Sequence, residues 1–435
     1  MPSTAASADA HAAEVHRAIE AVWRIESARL IAGLAHVVRD VGLAEDLAQD
    51  ALVAALRQWP QAGVPERPGA WLMAIGKRRA IDLLRRDAVL ERKQEQLGRD
   101  LEPYAPDSDL AAVEDEPEEI GDDLLRLIFI ACHPVLTTDA RVALTLRLLG
   151  GLATDEIARA FLVPEPTVAQ RIVRAKRTLA SAKVPYEVPQ GEDLRARLPA
   201  VLEVIYLIFN EGYSATAGED WMRPALCDEA LRLGRVLAEL APGEAEVHGL
   251  VALMEIQASR ARARLGPGGA PVLLLDQNRA LWDRLLIRRG LAALGRAQAL
   301  GGSQGPYALQ AAIAACHARA TTPEATDWPG IAALYAELAE VAPSPVVELN
   351  RGVALAMAFG PAAGLQVVDA LRGEPALAGY HLLPSVRGDL LAKLGRVAEA
   401  AVEFRQAAAL TRNARERDLL LNRAAACSAE LLGQT

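Results

Sequence analysis

The stretch WLMAIGKRRAIDLLRR, residues 71–86, combines apolar and basic residues at helical spacing. At about 100° per residue, small and aliphatic side chains share one side of a helix and most arginines share the other. Trp71 and Ile75 fall on the arginine side, and an aromatic ring there suits base stacking beside phosphate contact. The alternative interpretation is an ordinary amphipathic helix with a solvated charged face. The predicted buried side comprises Leu72, Met73, Gly76, Ala80, Leu83 and Leu84, and the exposed side carries Arg78, Arg79, Asp82, Arg85 and Arg86.

The preceding segment, residues 45–59, predicts a second amphipathic helix with an acidic outer face. Asp46, Gln49 and Asp50 are spaced i, i+3 and i+4, so they share that face. A proline-rich loop then leads to the basic helix. The predicted buried stripe is Ala48, Leu52, Ala55, Leu56 and Trp59, and the predicted loop contains Pro60, Pro65 and Pro68.

An acidic helix followed by a tryptophan-led basic helix resembles region 2 of the sigma subunits of bacterial RNA polymerase. The extracytoplasmic-function (ECF) group is the most similar in length and in residue pattern. The resemblance implies that the acidic face binds the clamp helices of the polymerase β′ subunit. It also implies that Trp71, Arg78, Arg79, Asp82, Arg85 and Arg86 bind and help to open the promoter −10 element. Arg78 departs from the pattern, which has an asparagine there.

Residues 154–177 predict a helix-turn-helix, with a break at Leu162-Val163-Pro164 and Pro166 opening the second helix. This pattern resembles sigma region 4, which implies contacts with the −35 element and with the flap of the polymerase β subunit. Leu162 stands where the turn commonly has glycine. The second helix is expected to bury Val168, Ile172, Ala175 and Leu179, and to present Thr167, Gln170, Arg171, Arg174 and Arg177 to the major groove.

Composition predicts an all-α protein with cores of alanine, leucine and valine, because 51% of residues are hydrophobic but only 4% aromatic. The net charge of −9 is unevenly distributed. Residues 57–99 carry ten Lys or Arg against five acids, whereas residues 100–123 carry eleven acids and no base. Local basic patches suffice for phosphate contacts, and the acidic total predicts weak DNA binding without polymerase.

The region after residue 187 contains internal repeats. Arg351-Gly352 recurs as Arg387-Gly388, 36 positions later, and the motif Leu394-Gly395-Arg396 resembles the turn of a tetratricopeptide helix pair. These features predict a solenoid of helical hairpins, which is more often a protein-binding scaffold than a catalyst. The complete chain therefore resembles ECF sigma factors with a C-terminal tetratricopeptide-like extension. The predicted parts are 14–98 (region 2), 99–122 (acidic linker), 123–187 (region 4) and 188–435 (the extension).

The predicted function is promoter-directed transcription initiation, regulated by the extension through a protein partner or through its own sigma domains. Asn210, Glu211 and Tyr213, in the joining segment, are expected to dock the extension. The alternative is a helix-turn-helix operator-binding regulator with a sensing repeat domain, which leaves residues 45–86 unexplained. No metalloprotease, P-loop or serine-hydrolase motif is present, so no enzymatic activity, cofactor or metal is expected. Four scattered cysteines and no membrane-length apolar run favour a cytoplasmic protein without membrane contact.

Overall fold

A computed structural model describes residues 3–96, 117–161 and 163–433, which divide into two compact units. The first unit contains the described parts of Met1–Arg159 and Val163–Val204, and the second is built mainly from Ile205 onwards. Both are helical, which confirms the all-α prediction for the described residues. In the same residues, no helix has the length and apolar character that a membrane span requires.

Eight helices follow one another in the described part of the first unit and its exit. They are α1 (Ser3–Val38), α2 (Val41–Ala62), α3 (Pro68–Gln96), α4 (Pro117–Ala131), α5 (Thr138–Leu148), α6 (Thr154–Phe161), α7 (Glu165–Ser181) and α8 (Gly191–Tyr213), the last of which continues into the second unit.

Several predicted boundaries differ from these elements, and Pro68, placed in the predicted loop, is the first residue of α3. Helix α1 begins well before residue 14, and α4 begins at Pro117, inside the predicted acidic linker; residues 99–116 of that linker lie outside the described residues. Pro60 lies in α2 rather than in the loop. A proline in the last turn of a helix removes only a terminal backbone hydrogen bond, so α2 continues to Ala62.

The core of the first unit forms where α1 packs against α2, α3 and α4. Gly76 of α3 is buried against Leu34 of α1, where a Cβ would lie 2.8 Å from the Leu34 side chain. Two predicted core residues are wrong: Leu56 is 37% exposed and Leu84 is 42% exposed. Each i+4 step turns a helix by about 40°, so Leu84 has rotated far from the buried row that begins at Leu72.

The second unit is a succession of helical hairpins. Within its described residues the α-helices are α9 (Pro224–Leu240), α10 (Ala245–Ala258), α11 (Arg284–Ala299), α12 (Pro306–Arg319), α13 (Trp328–Val341), α14 (Pro345–Phe359), α15 (Pro361–Ala370), α16 (Leu382–Lys393), α17 (Val397–Leu410) and α18 (Ala414–Gly433). A long connection with short 3₁₀ turns, residues 259–283, separates α10 from α11.

The sequence repeat corresponds to equivalent positions in successive hairpins. Gly352 of α14 faces Gly364 and Val368 of α15, and Gly388 of α16 faces Phe404 of α17. Gly395 has φ +75° in the turn between α16 and α17, a conformation that favours glycine. The hairpin architecture predicted from the repeats is therefore confirmed.

A short parallel ladder joins the beginning of the second unit to its last hairpin. Strand β1 (Ala217–Gly218) pairs with strand β2 (Arg412–Asn413). The Asn413 side chain, 1% exposed, donates hydrogen bonds to the carbonyl oxygens of Ala215 (3.1 Å) and Asp220 (2.8 Å). Hydrogen bonds thus link the first loop of the hairpin series to its last hairpin.

Candidate nucleic-acid interface

Helix α3 presents a basic outer face with an aromatic ring at its start. Arg78, Asp82, Arg85 and Arg86 are exposed, while Trp71 and Arg79 are half-buried. Trp71 lies edge-on to Trp59, which is 2% exposed, with ring centroids 5.4 Å apart. The buried Trp59 ring therefore fixes the position of Trp71 beside the arginines, as stacking on a base requires.

The acidic face of α2 adjoins this basic face. Asp46 and Asp50 are exposed, and Gln49 is half-buried. The Asp50 carboxylate lies 2.8 Å from the Arg79 guanidinium, so the structure pairs a predicted polymerase-binding residue with a predicted DNA-binding residue. Both side chains are substantially solvated, and such exposed pairs contribute little stability and exchange readily for other partners.

Helix α7 has the two faces expected of a recognition helix. The four predicted inward residues, Val168, Ile172, Ala175 and Leu179, are all buried. Gln170, Arg174 and Arg177 are exposed, whereas Thr167 and Arg171 are half-buried. Arg171 donates to Asp139 of α5 at 3.0 Å, so its guanidinium is partly engaged within the protein. Leu162 lies outside the described residues.

Glu45 is a residue of this region that sequence reasoning missed. It is 3% exposed, accepts from Arg147 Nε of α5 at 2.6 Å and forms an ion pair with Lys176 of α7, whose Nζ lies 2.5 Å from Oε2. Gln49 also donates to it, at 2.9 Å. We call Glu45, Arg147 and Lys176 the Glu45 ion triad. It joins α2 of the predicted region 2 to α5 and α7 of the predicted region 4.

The ion triad determines the charge state of Glu45. Burial alone would raise the pKa of Glu45, but the adjacent Lys176 and Arg147 outweigh burial, and the pKa lies below its ordinary value. The sequence signal was a glutamate on the same stripe as Ala48 and Trp59, because a charge on an apolar stripe requires a buried partner. The partners could not be read from the sequence, since they come from a different domain.

The predicted docking residues of the extension have their described contacts inside the second unit. Glu211, 8% exposed, pairs with Arg223 and accepts from the Thr216 hydroxyl at 2.9 Å. Tyr213 stacks on Phe209, and Asn210 is exposed. These contacts shape the segment after α8. Docking of Asn210, Glu211 and Tyr213 onto the sigma domains stays a prediction.

Comparison with known families identifies both helical domains. Residues 25–89 match Sigma-70 region 2, and residues 126–179 match Sigma-70, region 4. The chain belongs to the ECF-type sigma factors. This sigma factor thus has core RNA polymerase and promoter DNA as its partners and acts in transcription initiation.

Relatives of this sigma factor extend the comparison. A probable ECF RNA polymerase sigma factor, SigI of Mycobacterium tuberculosis, is 24% identical over 177 residues, which are 41% of this chain and 59% of SigI. The uncharacterized protein R00370 of Rhizobium meliloti (strain 1021) is 46% identical over 379 residues, 87% of this chain and 88% of the relative. Residues 197–298, in the extension, match a family of unknown function, DUF6596. No solved structure matches the chain.

Proposed function

We propose that this sigma factor binds the β′ clamp helices through Asp46, Gln49 and Asp50, and reads the two promoter elements through α3 and α7. The second sigma domain would also contact the β flap. The observation that carries this proposal is the pair of exposed arginine arrays, one on α3 and one on α7, each backed by a buried helix face. Arginine arrays of this kind bind phosphates and guanine edges.

The proposal requires the two sigma domains to separate on the promoter. The −10 and −35 elements lie about 25 base pairs apart, which is about 85 Å along B-DNA at about 3.4 Å per pair. A compact unit of about 180 residues is only about 40 Å across. The packed arrangement held by the Glu45 ion triad is therefore a closed form, and we infer that polymerase binding replaces its contacts.

Promoter-directed transcription tests the proposal directly. Purified full-length protein mixed with core RNA polymerase is expected to initiate at discrete start sites. A chain ending after Val204, at the limit of the first unit, shows whether the extension promotes or restrains initiation. Absence of core binding by both forms would overturn the proposal and favour the operator-binding regulator instead.

Replacement of Arg174 should change promoter selectivity. Arg174 is exposed on the face of α7 that we propose reads the −35 element, whereas Arg171 pairs with Asp139. Loss of an arginine that grips a guanine costs about 1–3 kcal/mol of discrimination. We therefore expect Arg174→Ala to reduce the preference for a matched −35 element by at least about fivefold in competitive initiation assays. Arg195→Ala, at an exposed arginine of α8, is the control, and equal selectivity in both variants would contradict the assignment.

We also propose that the extension regulates the sigma domains. Its support is architectural: it is a hairpin series of the kind that binds proteins, and it follows the second sigma domain directly. Comparison of full-length and truncated protein in the transcription assay shows whether the extension activates or inhibits initiation.

A further inference from the structure

Three arginines of the extension are buried without a described ion pair to a carboxylate; one of them, Arg279, donates instead to the carbonyl oxygens of His317 and Ala320 and to the Thr326 hydroxyl. The other two, Arg260 and Arg264, in the connection after α10, are each 6% exposed. Within the described part of the chain, neither forms an ion pair with an Asp or Glu. Arg387 of α16 is similarly buried, at 8%, but it pairs with Asp369 and Glu403. A buried charge is normally paired, so the guanidinium groups of Arg260 and Arg264 require an explanation.

The contacts of Arg260 leave part of its guanidinium unused. Its Nη2 donates to the Ala314 carbonyl oxygen at 3.3 Å, and the group lies 5.1 Å from the centre of the Trp282 ring. The Arg260 Nε atom is buried and has no hydrogen-bond partner among the described residues. Burial lowers the pKa of Arg260, and the groups acting on it are Tyr213, Arg264 and Tyr335, none of which is a carboxylate.

Arg264 is held by aromatic rings rather than by acceptors. Its guanidinium lies 3.6 Å from the centre of the Tyr213 ring and 5.6 Å from that of Trp221. Its Nη1 atom is buried without a partner among the described residues. Cation–π contacts orient the group but do not satisfy its N–H donors. The indole N–H groups of Trp221 and Trp282 are likewise buried without described acceptors.

Other neighbours add donors and positive potential instead of negative charge. The pKa of His317 is lowered to about 3 by burial and by Arg260 and Arg279, so its imidazole is neutral. Tyrosines are concentrated in the extension, which holds five of the seven in the chain: Tyr206, Tyr213, Tyr307, Tyr335 and Tyr380, all half-buried. Two of them, Tyr213 and Tyr335, act on Arg260 directly. We call Arg260, Arg264, Trp221, Trp282, Tyr213 and Tyr335 the Arg260 cluster.

We propose that the Arg260 cluster is a binding site for the oxyanion group of a small molecule, a phosphate or a carboxylate. Guanidinium and indole groups supply only donors, and phenol hydroxyls can donate as well as accept, so the cluster offers the donors that such an anion accepts. The charge of the anion would compensate two buried cations at once. The burial of both arginines restricts access to a small group, because a flat protein surface does not reach a side chain that is 94% covered.

The test measures binding to the full-length protein without polymerase, so it is independent of the proposed transcriptional role. Sodium phosphate and sodium acetate are titrated calorimetrically, each against sodium chloride at equal ionic strength. We expect saturable binding of one oxyanion, which identifies it as phosphate or carboxylate. Arg260→Gln and Arg264→Gln should each weaken binding at least tenfold. Arg387→Gln removes an equally buried arginine that has its own carboxylates and should leave binding unchanged.

Hydrogen exchange of the wild-type protein provides a measurement that does not depend on variant folding. The bound oxyanion should slow exchange in residues 259–283 and leave α16 and α17 unaffected. Absence of saturation by both anions would overturn the proposal. Binding that persists in Arg260→Gln, or protection confined to other segments, would show an adventitious ion only and would overturn it equally.

Discussion

Glu45→Ala is expected to open the packed sigma domains and to tighten binding to core polymerase. The substitution leaves Arg147 and Lys176 facing each other without their shared carboxylate. Breaking a buried ion pair by removing one partner costs about 3–5 kcal/mol, and partial solvation of both cations favours the lower end. About 3 kcal/mol corresponds to about a 100-fold increase in opening. Hydrogen exchange of α2 and α7 amides in the full-length protein measures this increase.

The effect on polymerase binding follows from the same equilibrium. When only a fraction of molecules is competent to bind, the apparent dissociation constant rises in proportion to the inverse of that fraction. Glu45→Ala raises the fraction and should therefore lower the apparent Kd for core polymerase. Asp50→Ala serves as the control for the hydrogen-exchange measurement alone, because it breaks a solvated pair worth at most about 1 kcal/mol but also removes a proposed polymerase contact. Unchanged exchange and unchanged affinity in Glu45→Ala would show that the Glu45 ion triad does not hold the closed form.

The Glu45 ion triad also predicts a pH dependence with a definite sign. The folded-state pKa of Glu45 lies below its ordinary value of 4.5, so the carboxylate stabilises the closed form at pH values above 4.5. That contribution falls as the pH drops below 4.5 toward the folded-state pKa. Exchange in α2 and α7 should accordingly rise at acid pH in the wild type, and Glu45→Ala should show a smaller rise.

Gly364→Val is expected to destabilise the extension by about 3 kcal/mol. A Cβ at this position of α15 would overlap the Gly352 carbonyl oxygen and lie 2.5 Å from the Ala356 Cβ of α14. Both neighbours belong to rigid helix, so the hairpin must separate to accept the side chain, and overpacking of a core costs about 1–3 kcal/mol. The β-branched side chain is additionally restricted in a helix. Urea denaturation followed by circular dichroism measures the loss.

Gly295→Val is the matched control for this packing prediction. Gly295 also lies inside a helix of the extension, α11, but a Cβ there has nothing within 4 Å. Replacement of an exposed helical glycine should be neutral or slightly stabilising, because glycine has one of the lowest helix propensities. Equal destabilisation by both substitutions would show that backbone effects, rather than the α14–α15 contact, determine the cost of Gly364→Val.

Residue periodicity predicted the elements and most of their faces. The buried faces of α3 and α7 follow from spacing alone, because a helix repeats at a fixed angle and apolar residues report which side is covered. Leu84 shows the limit of that reasoning, since the long α3 rotates its apolar row away from the core. The repeats in the extension were detectable because equivalent hairpins place a glycine at the same close contact, as Gly352 and Gly388 do.

Long-range charge pairing was beyond sequence reasoning. Glu45 and Arg147 are separated by 102 positions, and no local pattern joins them. The Arg260 cluster assembles from the end of α8, the loop that follows it, the connection after α10 and Tyr335 of α13. Only the packing of those elements shows that Arg260 and Arg264 have no carboxylate partner among the described residues. The sequence could indicate which side chains are charged, but their partners depend on tertiary structure.

The ladder between β1 and β2 fixes how many hairpins the extension can have. In an open array, unfolding can start from a free end and a repeat can be gained or lost, because each repeat contacts only its neighbours. Here Asn413 bonds to the first loop, so insertion or deletion of one hairpin would move it out of reach of Ala215 and Asp220. The extension should therefore melt as one cooperative block, and its length should be conserved among relatives while its loops vary.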